Sequence, residues 1–323
     1  MQFKRWRLSA ASPFVNAGLG LSLLFTAIAC SKSEKPASEE EKSGVSTETH
    51  LTLPAVWSTP LTTGKVDDLA ISGGRNALIA VTYEKGGLQL FNMEGDAVAQ
   101  PANFDLRAIA TGKSTIADNA FVTVFPGIDS AGALKGYIYG DGLLAPAIVD
   151  LPVTEERTIS GLCSTPLEGD SLMRISYWMG SSGQMLKTGR LGLVDGDFTW
   201  EEETPTLTEF PVSSCAFANN TLIASPSAID SASLERDSFS GLVSISEDGD
   251  VLLSDETGTD IKSVEIRDGI SFKAPSSPIA IEAMGTMLSG GYPGGVIVMA
   301  GETSPGEHSI VFVDPSALTL PSE

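Results

Sequence analysis

The stretch Ala77–Asp96, ALIAVTYEKGGLQLFNMEGD, restricts the fold of this chain more than any other. Two apolar runs, Leu78–Thr82 and Leu88–Asn92, flank a polar turn at Glu84–Gly87, and Glu94-Gly95-Asp96 closes the unit. Short apolar runs punctuated by glycine mark a buried antiparallel hairpin. The unit recurs with longer loops. Thr221–Gly249 offers Leu222–Ala224 and Gly241–Ile245 across a polar loop, and Gly295–Ala317 offers Val296–Met299 and Ile310–Val313. A hairpin-then-turn repeat is the signature of a propeller built from blades. With about 45 residues per blade, residues 53–323 predict an all-β, six-bladed β-propeller.

The predicted blades follow the chain. The first covers Leu53–Gln100. A second uses Asn103–Ala110, Ala120–Phe125 and Tyr137–Leu143, and a third Thr158–Cys163, Met173–Trp178 and Met185–Val194. Phe210–Ala218 with the second hairpin copy forms the fourth, Val251–Phe272 the fifth, and Ile279–Met284 with the third copy the last. A strand from the N-terminal segment is expected to close the ring.

Residues 1–29 carry Lys4, Arg5 and Arg7 and no acid, followed by the apolar run Ala17–Ala29. That run is too short for a spanning helix and has the flanks of a signal peptide. Its end, Thr26-Ala27-Ile28-Ala29-Cys30, resembles the lipobox of bacterial lipoproteins, with Ala27 where leucine is commoner. The resemblance implies acylation of Cys30 and a lipid bilayer as partner. Ordinary secretory cleavage after Ala29 is the other reading. Residues 30–52, rich in Ser, Glu, Lys and Thr, read as a disordered tether that holds the folded part off the membrane. Ser31 replaces the aspartate that retains many Gram-negative lipoproteins at the inner membrane. The outer membrane, with an outer-membrane protein as a further partner, is the expected location.

Removing residues 1–29 takes three of the 20 basic side chains and none of the 41 acidic ones, leaving a net charge of −24. Phosphate backbones would be repelled, so nucleic acid is excluded as a partner. The second and third cysteines, Cys163 and Cys215, occur in similar pre-strand contexts about one blade apart. In an oxidising compartment they form an even pair; a disulfide and two buried thiols are the alternatives. His50 and His308 are too few for serine-hydrolase or zinc chemistry. Gly112-Lys113-Ser114-Thr115 lacks the earlier glycine and following helix of a phosphate loop.

Three segments together resemble the β-propeller phytases: Asp67-Asp68-Leu69-Ala70-Ile71, Glu84–Phe91 with Met93-Glu94-Gly95, and Asn103-Phe104-Asp105-Leu106-Arg107. Tyr292–Val298 is similar to that family's closing segment, and the resemblance covers most of residues 53–323. It implies calcium ions at one end of the channel, with a phosphorylated small molecule as substrate. By that match Asp67, Asp68 and Asp105 are the metal-binding carboxylates, and Lys85 and Arg107 the phosphate-binding cations. Turn capping is the alternative role for Asp67 and Asp105.

Elsewhere the chain departs from the family. Val122–Pro126 replaces a basic segment, Ser181 a lysine, and Ser213-Ser214 a carboxylate before Cys215. Ser225 and Pro226 replace two carboxylates, Lys262 stands for an acid, and the last aspartates fall on Ile281 and Gly301. A calcium ion takes six to eight oxygen ligands, so these losses predict a degenerate propeller without catalytic residues, acting as a binding or scaffolding module. A calcium-dependent phosphomonoesterase with a rearranged site is the competing expectation.

Overall fold

The structure, a computed structural model, describes residues 51–74, 76–117, 120–169, 171–180, 183–259, 261–285 and 291–318. The predicted signal peptide, Cys30 and the tether up to residue 50 lie outside the described residues, as do Ser181 and Asp260.

Strand β1 (Leu51–Ser58) begins inside the segment expected to be disordered tether, because Leu51 and Leu53 have an apolar surface to cover. The chain then builds a run of antiparallel meanders. The first holds β2 (Val66–Gly73), β3 (Leu78–Tyr83) and β4 (Leu88–Asn92). Next come β5 (Leu106–Ile109), β6 (Gly112–Ala117), β7 (Ala120–Asp129), β8 (Leu134–Gly140) and β9 (Ala147–Asp150), with β5 and β6 both on β7. A third contains β10 (Ile159–Pro166), β11 (Ser171–Met179), β12 (Met185–Val194), β13 (Asp197–Glu202) and the two-residue β14 (Thr206–Leu207). Strands β15 (Ser214–Ala218) and β16 (Thr221–Ser225) form a two-stranded sheet by themselves. They precede β17 (Ala228–Arg236), β18 (Phe239–Ser246), β19 (Val251–Asp255) and β20 (Lys262–Arg267). Last are β21 (Ser277–Met284), β22 (Val296–Ser304) and β23 (Glu307–Val313).

Leu78–Thr82 pairs with Leu88–Asn92, and Val296–Met299 with Ile310–Val313, as the repeat predicts. The second copy is different. Leu222–Ala224 pairs with β15, whereas Gly241–Ile245 pairs with β17 and β19. The stretch between them, taken as a polar loop, is strand β17: Ala232 and Leu234 point into the core while its serines face the channel and solvent. A fifth blade starting at Val251 is likewise replaced, since β19 and β20 continue the β17–β18 sheet. Leu53–Ser58, assigned to the first blade, belongs to β1. That strand runs parallel to β20 through Leu51–Pro54, then antiparallel to β23 through Ala55–Ser58, so the N-terminal segment joins the last sheet.

The inner strands pack in sequence around a channel, β2 on β5, β5 on β10, β10 on β15, β15 on β17, β17 on β21 and β21 on β2. This cyclic order makes the all-β fold propeller-like. Apolar clusters fill the spaces between adjacent sheets; one joins Ile71, Ile79 and Val81 to Val296, Val298 and Phe312. Gly112 permits close packing between β6 and β7, since a Cβ there would sit 2.6 Å from the Phe125 ring and from the Val124 carbonyl oxygen.

Candidate functional site: the central channel

Strands β2, β5, β10, β17 and β21 each begin with a β-bulge, marked by register shifts at Val66/Asp68, Leu106/Ala108, Ile159/Gly161, Ala228/Asp230 and Pro278/Ala280. A bulge sets one extra residue against its neighbour strand and re-aims the side chains around it. The extra residues are Asp67, Arg107, Ser160, Ile229 and Ile279. All five line one mouth of the channel, a cavity of about 190 Å³ that also holds Asp68, Ser213 and Ser214. Behind it lies a larger cavity of about 520 Å³, lined by Thr111, Lys113, Ser164, Ser231, Ser233 and Glu282 among others. Leu162, Cys215 and Asp230 belong to both walls.

The polar groups around this channel fasten each inner strand to the next. Asp68 accepts the Leu69 N–H on its own strand (2.8 Å) and the Ile109 N–H of β5 (2.9 Å). Between β5 and β10, Arg107 donates to the carbonyls of Ile159 and Ser160, and Ser164 Oγ donates to the Thr111 carbonyl at 2.6 Å. Cys163 and Cys215 form a disulfide with Cα atoms 5.6 Å apart, joining β10 to β15. Ser214 and Ser231 share a hydroxyl hydrogen bond of 2.9 Å between β15 and β17. Asp230 repeats the Asp68 pattern, accepting the Ser231 N–H (2.8 Å) and the Ile281 N–H of β21 (2.7 Å). Glu282 on β21 closes the ring. It accepts from the Thr111 hydroxyl at 2.7 Å and the Ala283 N–H at 3.1 Å, and the Ile71 amide of β2 also points at it.

Three carboxylates therefore sit in a channel enclosed by protein. Burial raises Asp68 well above the ordinary aspartate range, and the charge of Asp230 adds to the rise against the two amides it accepts. Asp230 is pushed up to about 6 by burial, opposed by the Ile281 and Ser231 amides. Glu282, only 8% exposed, is pushed up to about 7, chiefly by burial. Asp68 and Asp230 keep part of their surface open to the channel, so Glu282 is the most fully desolvated of the three. Lys113, at the far end, is lowered by burial and donates to the carbonyls of Leu167 and Ser171.

The residues assigned by the phytase resemblance separate into two groups. Asp67, Asp68 and Arg107 share the channel mouth. Asp105 and Lys85 do not line it: Asp105 is exposed and accepts the Ser130 hydroxyl, and Lys85 stands exposed in the β3–β4 turn. The three aspartates expected to hold calcium thus do not converge. Both oxygens of Asp68 are committed to backbone amides, and among the described residues no group of three or more His, Cys, Asp or Glu side chains has metal-binding geometry. The remnant calcium site does not fit these residues. Asp105 accepts a side-chain hydroxyl rather than the backbone amides of the capping alternative, and Asp67 is exposed at its bulge. Gly112–Thr115, excluded as a phosphate loop, is the start of β6.

Asp230 and Glu282 have no place in the sequence reading. Asp230 was hidden in a supposed loop, and Glu282 follows Ile281, where the family match marks a lost carboxylate. The one available signal is an acid inside an apolar strand run, as in Pro278-Ile279-Ala280-Ile281-Glu282-Ala283.

No protein-family model matches the sequence, and no curated protein sequence matches it either. Among solved structures, a thermostable family-43 glycoside hydrolase is similar over 83% of this chain and 98% of its own, at 9% identity and a TM-score of 0.44. The Aleuria aurantia lectin in complex with Fucα1-6GlcNAc is similar over 82% of this chain and 100% of its own, at 10% identity and a TM-score of 0.49. AofleA from Arthrobotrys oligospora is similar over 81% of this chain and 90% of its own, at 11% identity and a TM-score of 0.47. Likeness at this level carries nothing about activity.

Proposed function

We propose that this chain is a membrane-anchored extracytoplasmic lipoprotein whose six-bladed, phytase-like propeller binds a small polar molecule in its channel. One observation carries the binding reading: the channel acids spend their oxygens on amides and hydroxyls of neighbouring inner strands. A carboxylate committed to the protein's own donors and shifted towards its neutral form is a poor ligand for a hard dication. What remains is a cavity of about 520 Å³ with hydroxyls and Lys113 on its walls, within the size range of small-molecule sites.

Calcium-dependent phosphate hydrolysis is the second reading, favoured by Asp67, Asp68 and Arg107 sharing the channel mouth. The two are separated by incubating the purified soluble domain with phytate and calcium, with and without chelator. No chelator-sensitive phosphate release is expected, and clear turnover overturns the binding reading. Partition of the full-length protein into a detergent phase, lost on Cys30→Ser, tests the anchor; a wild-type protein that stays in the aqueous phase refutes it.

A further inference from the structure

The two-stranded sheet β15–β16 stops short of its neighbours, which continue to β13 and β14 on one side and to β19 and β20 on the other. Its outer strand, Thr221-Leu222-Ile223-Ala224-Ser225, contains no charge and no proline. Among the described residues β15 alone pairs with it, so every second residue of β16 presents its N–H and C=O outward. The other outer strands are protected. Residues Ala97 and Ala102 bridge to β4, β1 covers β20, Pro146 and Pro152 flank β9, and β13 ends in Glu201-Glu202.

The β16 edge lies in a slot rather than on an open face. Leu222 and Ala224 pack against the cluster of Trp178 and Leu186 on one side, and Ile223 packs against Leu242 on the other. The turn at Gly258 rests against Ile223. One more strand placed there would pair with β16 and set its side chains alternately against the two walls. Charge selects the occupant. Glu235 and Glu256, both bonded to Asn219, stand at that end of the edge against the cation of Arg174 on the Asn220 carbonyl, and the chain as a whole has a net charge of −21. Two copies of such a body repel each other, whereas a basic segment is attracted.

We propose that the outer edge of β16 is a docking site for an extended, basic, β-prone segment of a partner protein, added as a third strand to the β15–β16 sheet. The inference is independent of what the channel holds. The test is amide hydrogen exchange of the protein, alone and with a short synthetic peptide of alternating valine and threonine carrying lysines at both ends. At a peptide concentration about ten times its Kd, exchange at the outward amides of residues 222–224 slows by about tenfold. A peptide with the same centre and glutamates at both ends gives no slowing. Ile223→Lys abolishes the effect. Should that variant fold poorly, Thr221→Lys at the exposed end of the strand weakens binding by about threefold through charge alone. Equal slowing by both peptides, no slowing by the basic one, or slowing that follows protein concentration without peptide and so reports a second copy, each overturns the proposal.

Discussion

Replacing Glu282 by glutamine reverses its effect on stability between acid and mildly alkaline pH. The carboxyl titrates from an ordinary value of 4.5 in the unfolded chain to about 7 in the folded one. A raised acid binds its proton more tightly when folded, so its contribution to stability is complete below pH 4.5. That contribution declines as pH rises and is gone once pH passes about 7. At roughly 1.4 kcal/mol per pKa unit, the wild-type side chain penalises folding by about 3 kcal/mol at pH 8. Glutamine stays neutral and retains an acceptor for Thr111 or Ala283, but adds an amide N–H with no partner, at about 1 kcal/mol. The variant should be about 2 kcal/mol more stable than wild type at pH 8 and about 1 kcal/mol less stable at pH 4, a difference of roughly 6 °C in Tm at the alkaline end. Urea unfolding curves of both proteins across pH 4–9 provide the assay, and their difference removes the titration of groups remote from Glu282 while keeping its interaction with Asp230. If the variant is offset from wild type by the same amount at every pH, Glu282 is not the buried, raised acid that the channel geometry makes it.

Other perturbations have definite outcomes. Replacing Cys163 and Cys215 by serine opens a loop with a sequence separation of 52 and should cost about 4 kcal/mol in denaturant unfolding, with wild type falling to the same midpoint under reductant. Gly112→Ala drives a methyl against the Phe125 ring and the Val124 carbonyl oxygen and should lower stability by about 2 kcal/mol, read from the thermal midpoint. Asp68→Ala leaves the Ile109 amide without its acceptor and should cost about 2 kcal/mol, whether calcium or chelator is present; stabilisation of wild type alone by calcium would restore the metal role.

Legibility of the fold followed the balance between local and cyclic information. Ala77–Asp96 announces its hairpin because both partners lie within a few residues of one turn. Ala228–Arg236 conceals a strand, because Asp230, Ser231 and Ser233 serve the channel where alternation rules expect apolar residues. The bulges at Asp67, Arg107, Ser160, Ile229 and Ile279 hold an acid, a base, a serine and two isoleucines, so the feature that repeats most regularly around the mouth leaves no motif. Similarly, Asp68 and Arg107 were recognisable as channel residues, but their task was not. Whether an acid binds an ion or clasps a neighbouring amide depends on which strand lies beside it, and that neighbour comes from elsewhere in the chain.

Strand β1 sets an order of events for the newly made chain. It is the first of the described strands to leave the ribosome, yet one partner, β20, lies more than 200 residues later and the other, β23, is the last described strand to be made. Until the strands from β17 onward arrive, Leu53 and Ala55 have no apolar cluster to join, and the surface that β23 will give to β1 comes last. The sheets between can form as local meanders during synthesis, but the circle cannot shut until β23 is available to β1. Folding therefore ends with its longest-range contact, which is slow and leaves open strand edges exposed to other chains meanwhile. A chain truncated just before β23 would keep most of its sheets and lose the lock, making it a substrate for proteases and chaperones rather than a smaller version of the same protein.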